Sequence, residues 1–306
     1  MQSGAANQEV SPEDSGPRKS DSRFNLKNLV RSPVGLIGTT IVILVLLMAV
    51  FAPLLSPNDP YDHDLTNRIS PPMWNAEGQA QFPLGTDTMG RCLLSRIIYG
   101  SRVSVAVGVS AIIIAGLIGV TFGLIAGYLE GWYDTVISRF IDAFMAIPPL
   151  LLTMTIMAAI GHEHAGVLTL VVVLGFTRWV SYARLVRGEV FSLKKQDFIQ
   201  AAQALGQNTF WILFKHLLPN VMASIVVIGT LGVGGTMLSE ASLSFLGLGV
   251  QPPTITWGIM LSEGRTYIST SWWLATFPGI AITVTVLGVT FLGDWLRDVL
   301  DPRLKQ

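Results

Sequence analysis

Long apolar runs separated by short polar stretches dominate the chain from about residue 33 onward. A helix needs about 20 mostly apolar residues to cross the hydrocarbon core of a bilayer. Six stretches meet that requirement: 34–55, 103–129, 140–160, 165–183, 221–246 and 272–293. Lipid gives exposed backbone polar groups no partner, so these spans are expected to be α-helical. The third and fourth are separated only by GHEHAG, which predicts a tight hairpin. Residues 1–32 are rich in Ser, Gly, Pro, Asn and charge, and read as a flexible tail. The tail is too polar for a secretory signal, so the first apolar run is expected to remain as an anchor. The resulting expectation is an all-α integral membrane protein with a tail (1–32) and a six-helix membrane domain (33–306).

Several spans carry internal irregularities. Ala111, Ala115, Gly119, Gly123 and Gly127 recur every fourth position, lining one helical face with small residues that let a second helix approach closely. That face serves either static packing or a surface that slides during transport. Pro148 and Pro149 in IPPLLL remove backbone hydrogen bonds and predict a kink, fixed or hinged. In GTLGVGG, Gly229, Gly232 and Gly235 permit close backbone approach or leave room for a pathway. Asp142 lies three positions after Arg139, the spacing of a local helix-surface pair. Glu240, near the outer end of the fifth span, either lines a gate or reaches the interface; with Pro148, Gly232 and Gly235 it is a candidate pathway residue.

Composition agrees with a membrane protein: 50% of residues are hydrophobic and 13% charged, against about 25% charged in soluble domains. Mean hydropathy is +0.53. A formal net charge of zero gives no nucleic-acid footprint. The single cysteine, Cys92, cannot form an intrachain disulfide. Of the 20 Lys and Arg, Arg68, Arg91, Arg96, Arg102 and Arg265 fall in alternate loops on one side. The remainder, including Arg178, Arg184, Arg187, Lys194, Lys195 and Lys215, fall in or beside the other loops and the two ends. Cytoplasmic loops hold the Lys and Arg excess, so both termini are expected to be cytoplasmic.

Much chemistry is missing. No lysine follows a glycine, so the phosphate-cradling G-x-x-x-x-G-K-[ST] loop is absent. His162, Glu163 and His164 lack the helical spacing of a zinc motif and read as a solvated turn; no metal site is expected. No nucleophile arrangement is assembled either.

The 184–220 loop is the most informative segment. Asp197 and Gln200 have capping-box spacing. Phe198, Ala201, Ala202 and Leu205 fall on one apolar helix face. Gly206 suits a left-handed helix stop, Asn208 or Thr209 can cap a second helix, and Pro219 would end or bend it. The first helix is too short to persist alone, so its apolar face needs a partner: the protein's own bundle, lipid headgroups or a separate cytoplasmic protein.

Gln200-Ala201-Ala202, three residues, Gly206, and then Leu218-Pro219 resemble the EAA loop (E-A-A-x3-G-x9-I-x-L-P) of ATP-binding cassette importer permeases. Gln200 replaces the Glu and His216 the Ile. PLGTDTMGRCLLSRIIYGSRVSV (83–105), GLIAGYLEGWYD (123–134), SEASLSFLGLGVQPPTITWGIML (239–261) and FLGDWLRDVLDPRLK (291–305) narrow the resemblance to the dipeptide, oligopeptide and nickel importers, as their second, C-type permease subunit. Cys92 stands where that pattern has Asp. The resemblance implies a type I importer permease fold in the inner membrane and a second homologous permease chain. It also implies two cytoplasmic ATPase subunits that hold the ATP and Mg, and an extracytoplasmic binding protein. Gln200, Ala201, Ala202, Gly206, Leu218 and Pro219 would couple to an ATPase, and this chain would bind no cofactor. Peptide is the implied cargo, with nickel or another small solute as the alternative. An ion-coupled secondary transporter or channel using Glu240 or Asp142 is a second class of reading, but it leaves the loop unexplained.

Overall fold

A computed structural model describes residues 32–300; residues 1–31 of the expected tail (1–32) and the last six residues lie outside the described range. Helix α1 (Pro33–Val50) opens on Ser32, whose hydroxyl accepts from the Gly35 N–H at 3.2 Å, with Pro33 in the first turn where its missing N–H costs nothing. A single turn, Ala52–Leu55, follows. Helix α2 (Leu93–Leu129) begins ten residues before the apolar run at 103, because its first turns are buried: Ser95 and Arg96 meet Asn58 and Asp87, and Ile97 and Ser104 bond Trp257. It ends where Glu130 and Gly131 take left-handed φ values of 54° and 59°.

The 140–160 span is not one helix. It divides into α3 (Gly131–Met145) and α4 (Pro149–Ile160), bent by 86°. Pro148 and Pro149 follow one another at the break, so the kink expected there is a complete interruption. Among the described residues, five helices are long and apolar enough to span alone, and the bent pair makes six if it counts as one crossing.

Helix α5 (Val167–Leu193) follows the His162–His164 turn and runs ten residues past the predicted end at 183. Arg178 therefore lies within the helix, about 16 Å along its axis from Val167, rather than beside a loop. Asp142 meets Arg184 of α5 at 3.9 Å, between two largely exposed side chains, and not Arg139. Helix α6 (Asp197–Ala204) leads through a turn to α7 (Leu218–Phe245), and α8 (Trp257–Gly264) and α9 (Trp273–Leu300) complete the chain. Among the described residues, the β pairing consists of one isolated bridge, Thr86 to Cys92.

Close backbone approach organises the bundle. A Cβ added at Gly119 would lie 2.3 Å from the Trp179 carbonyl oxygen, and one at Gly123 would lie 2.8 Å from that of Ala183. Gly127 faces Val190 in the same way, while Ala111 and Ala115 are fully buried. The small-residue face of α2 thus lies against α5. Helix α1 is peripheral. It buries Gly35 and Gly38, and a Cβ on Gly38 would lie 2.6 Å from the Leu292 nitrogen of α9.

Candidate functional site

Two features stand out, one at each end of the bundle. At the end bearing residues 56–92, Asp87 accepts from the backbone N–H groups of Met89 (2.8 Å) and Arg91 (3.0 Å) and from Arg91 Nε at 2.7 Å. Arg96, with 3% of its side chain exposed, donates to Asp87 and, at 2.7 Å, to Glu263 of α8. Burial opposes ionisation of Asp87, but the Arg96 and Arg91 guanidiniums and the two backbone donors outweigh it, holding its carboxyl below the usual carboxylate range. Cys92 is buried at the N-cap of α2 and makes no side-chain cap bond. The cluster closes through Glu263, a residue the sequence did not single out.

The opposite end carries the helix, glycine turn and helix. Gln196, not Asp197, is the N-cap of α6, and it makes no side-chain cap bond. Gln200 donates to the Lys195 carbonyl at 3.1 Å, so the expected capping box does not form. The C-terminus follows the predicted stop: Gly206 has φ +73°, its N–H meets the Gln203 carbonyl at 2.9 Å, and the Gln207 N–H meets that of Ala202 at 3.1 Å. This is a Schellman arrangement. Asn208 caps the next turn through the Phe210 N–H at 3.0 Å. That turn does not end at Pro219. It passes through a π-helical stretch, Ile212–Leu217, straight into α7, with Pro219 in the turn that follows. His216 Nε2 and Gln207 Oε1 lie 3.0 Å apart across the loop.

The bundle takes only part of the apolar surface of α6. Ile199 (0% exposed) and Ala202 pack with Leu124, Tyr128, Val186 and Val190 of α2 and α5, and with Ile212, Leu217 and Val221. Phe198, Ala201 and Leu205 face outward; Leu205 is 81% exposed and Phe198 44%. Phe210, Trp211 and Phe214 extend the apolar surface, with the Phe210 and Phe214 rings 4.4 Å apart. Gln200, Gly206 and Pro219 are exposed and Leu218 is half-buried.

Polar ties connect this end to the long helices. Lys194 donates to the Tyr128 carbonyl at 2.7 Å and pairs with Glu130 at 3.1 Å. Gln203 donates to the Tyr128 hydroxyl at 3.2 Å, and Arg187 grips Asp134 at 2.5 and 2.8 Å. Tyr128 lies in the GLIAGYLEGWYD motif, the one sequence signal that could have drawn attention to it. The segment is therefore amphipathic: one face is built into α2 and α5, the other is apolar and exposed in this chain.

The remaining candidates are dispersed. Glu240, 1% exposed, does not reach the interface; it accepts from Ser244 at 2.9 Å. Gly232 lies against Ile112, where an added Cβ would approach to 2.7 Å, and Gly235 lies beside Arg178. Pro148 occupies the α3–α4 break, far along the chain from Glu240. Among the described residues, no group of three or more His, Cys, Asp or Glu side chains is placed to hold a metal ion.

Comparison with known families gives two matches. Residues 119–306 match the binding-protein-dependent transport system inner membrane component, and residues 25–72 match the N-terminal transmembrane domain of oligopeptide transport permease C. A di/tripeptide transport system permease of Pseudomonas aeruginosa is 40% identical over 268 residues, covering 88% of each chain. A dipeptide transport system permease of Haemophilus influenzae is 39% identical, over 89% of this chain and 91% of its own. A glutathione transport system permease of Pectobacterium atrosepticum is 39% identical, over 91% of this chain and 90% of its own.

Proposed function

The chain belongs to the binding-protein-dependent inner membrane transport components, in the oligopeptide permease C group, and on that premise we propose that it carries small peptides inward as one permease subunit of an ATP-binding cassette importer. The observation that carries the mechanism is the divided surface of α6. Ile199 and Ala202 anchor the helix in the bundle, while Phe198, Leu205, Phe210 and Phe214 offer an apolar face to a separate protein. A cytoplasmic ATPase subunit covers that face. Its closure on ATP and Mg moves α6, and the Lys194, Gln203 and Arg187 ties pass that displacement to α2, α3 and α5 as a rigid-body shift.

This assignment puts the α6 end and both termini in the cytoplasm, in keeping with the distribution of Lys and Arg. The Asp87–Arg96–Glu263 end then meets the binding protein that delivers solute, and a second homologous permease chain supplies the other half of the path. The relatives transport dipeptides, tripeptides and glutathione, so a short peptide bearing free carboxylate groups is the solute class. The chain itself holds no ATPase motif and acts as a transport subunit.

Proteoliposomes containing this chain, its permease partner, both ATPase subunits and external binding protein should take up labelled dipeptide only with ATP. Omitting the ATPase subunits should abolish uptake. Transport by the chain alone down an ion gradient would overturn the reading in favour of a secondary transporter.

A further inference from the structure

Arg178 sits near the middle of α5, about 16 Å from its start, and Gly235 lies at a matching depth, about 15 Å from the end of α7. A charge at such depth is costly and normally meets an opposite charge or a functional partner. Arg178 Nη2 donates to the Gly235 carbonyl at 2.7 Å and to the Ser239 hydroxyl at 2.8 Å, both neutral acceptors. Among the described residues no carboxylate pairs with this guanidinium, and its Nη1 and Nε make no hydrogen bond. Glu240, next to Ser239, is engaged by Ser244 instead.

One turn further along α5, Tyr182 is 3% exposed and its hydroxyl has no hydrogen-bond partner. A buried hydroxyl left unpaired costs about 1–3 kcal/mol. Both groups face glycines of α7. A Cβ on Gly229 would lie 3.3 Å from the Tyr182 hydroxyl and one on Gly232 would lie 3.8 Å away; one on Gly235 would lie 3.2 Å from Arg178 Nη1. Side chains at these positions would crowd the cation and the phenol, and at Gly232 would also meet Ile112 at 2.7 Å, so the glycines let bare backbone lie directly beside both groups. A guanidinium without a counter-ion, an unpartnered hydroxyl and a bare backbone wall thus converge on one spot.

We propose that Arg178 and Tyr182, facing Gly229, Gly232 and Gly235, form a transit site for the carboxylate of the peptide solute. The free N–H groups of Arg178 donate to the carboxylate oxygens, and the Tyr182 hydroxyl adds a third donor. A grip on the carboxylate is indifferent to peptide side chains, as a path shared by many short peptides requires. This site rests on the importer reading above. A purely structural Arg178 would tie α5 to α7 through Gly235 and Ser239 and nothing more.

The test uses the assembled complex carrying Ser239→Cys on a Cys92→Ser background, which leaves a single thiol beside Arg178. Thiosulfonate reagents bearing a sulfonate or a trimethylammonium group are compared during ATP turnover. The anionic reagent should react about tenfold faster. Dipeptide should slow that reaction, its C-terminal amide should not, and Arg178→Gln should erase the preference while Arg178→Lys keeps part of it. Equal rates for the two reagents, no reaction with either, or equal protection by acid and amide would overturn the proposal. Dipeptide uptake by the parent complex separates the two readings: if uptake is present but charge selectivity absent, only this site fails; if uptake is absent, the importer assignment fails with it.

Discussion

Helix α6 offers a sharp experiment because neighbouring positions on it face opposite ways. Full burial of a Leu side chain is worth about 1.5–3 kcal/mol. Leu205, 81% exposed in the free chain, has nearly all of that available for a partner, whereas Phe198, 44% exposed, has roughly half its side chain left to cover. Leu205→Ala should therefore weaken association with the ATPase subunit by about 2 kcal/mol, roughly 30-fold in Kd. Phe198→Ala should add a smaller loss of about 1 kcal/mol. Leu205 contributes little to the bundle, so Leu205→Ala should change stability by less than about 0.5 kcal/mol. Ile199→Ala should do the reverse: at 0% exposure it forfeits packing inside the bundle, about 2–5 kcal/mol. The assay titrates detergent-solubilised permease pair with ATPase subunit and follows thermal unfolding of each variant in parallel. Wild-type affinity in both Leu205→Ala and Phe198→Ala would refute the docking face. Destabilisation by Leu205→Ala equal to that by Ile199→Ala would refute the assignment of faces.

Gly206→Val places a β-branched residue at φ +73°, a strain of about 1–2 kcal/mol on the turn between the two arms; ATP-driven uptake should fall with helix content by circular dichroism unchanged, and full uptake would exclude a coupling role for the turn. Gly123→Val forces atoms toward the Ala183 carbonyl oxygen, 2.8 Å from the added Cβ, and should cost about 1–3 kcal/mol of α2–α5 packing. Gly188→Ala, with open space around it on the same α5, should be neutral or slightly stabilising, so only the Gly123→Val midpoint of thermal unfolding should fall. The Asp87 carboxyl is held below its ordinary value of 3.8, so its stabilisation is complete above that pH and disappears as the pH falls through the lower folded value. The thermal advantage of wild type over Asp87→Asn should accordingly shrink under acid; a gap that stays constant or widens would contradict the cluster geometry.

The turn chemistry of the candidate site was legible because it is local. Gly206 stops a helix through its own φ and the bonds of adjacent backbone groups, and Asn208 caps two residues away. Which part of α6 the bundle itself takes was not legible, for the opposite reason. Phe198, Ala201 and Leu205 form a correct apolar stripe, yet Ile199 and Ala202 are the residues that meet α2 and α5, and helix periodicity alone does not say which of two apolar stripes the bundle takes. The capping box failed because Gln200 found the Lys195 carbonyl, an acceptor outside the motif. At Pro219, the residue type announced a disturbance, while its form, a π turn within a continuing helix, depended on the turns around it.

By itself the sequence determined the class of protein and where its long apolar runs lie, since both follow from run length against the thickness of a bilayer. It also determined the family, through motifs spread along nearly the whole chain. Only the tertiary structure decided that the third apolar run is broken by 86°, that Asp87 meets Arg96 and Glu263 across distant segments, and that Arg178 lies inside the bundle beside bare glycine backbone. Those outcomes depend on which helices become neighbours. Burial, pairing and the cost of a charge are properties of that neighbourhood, which no local pattern along the chain contains.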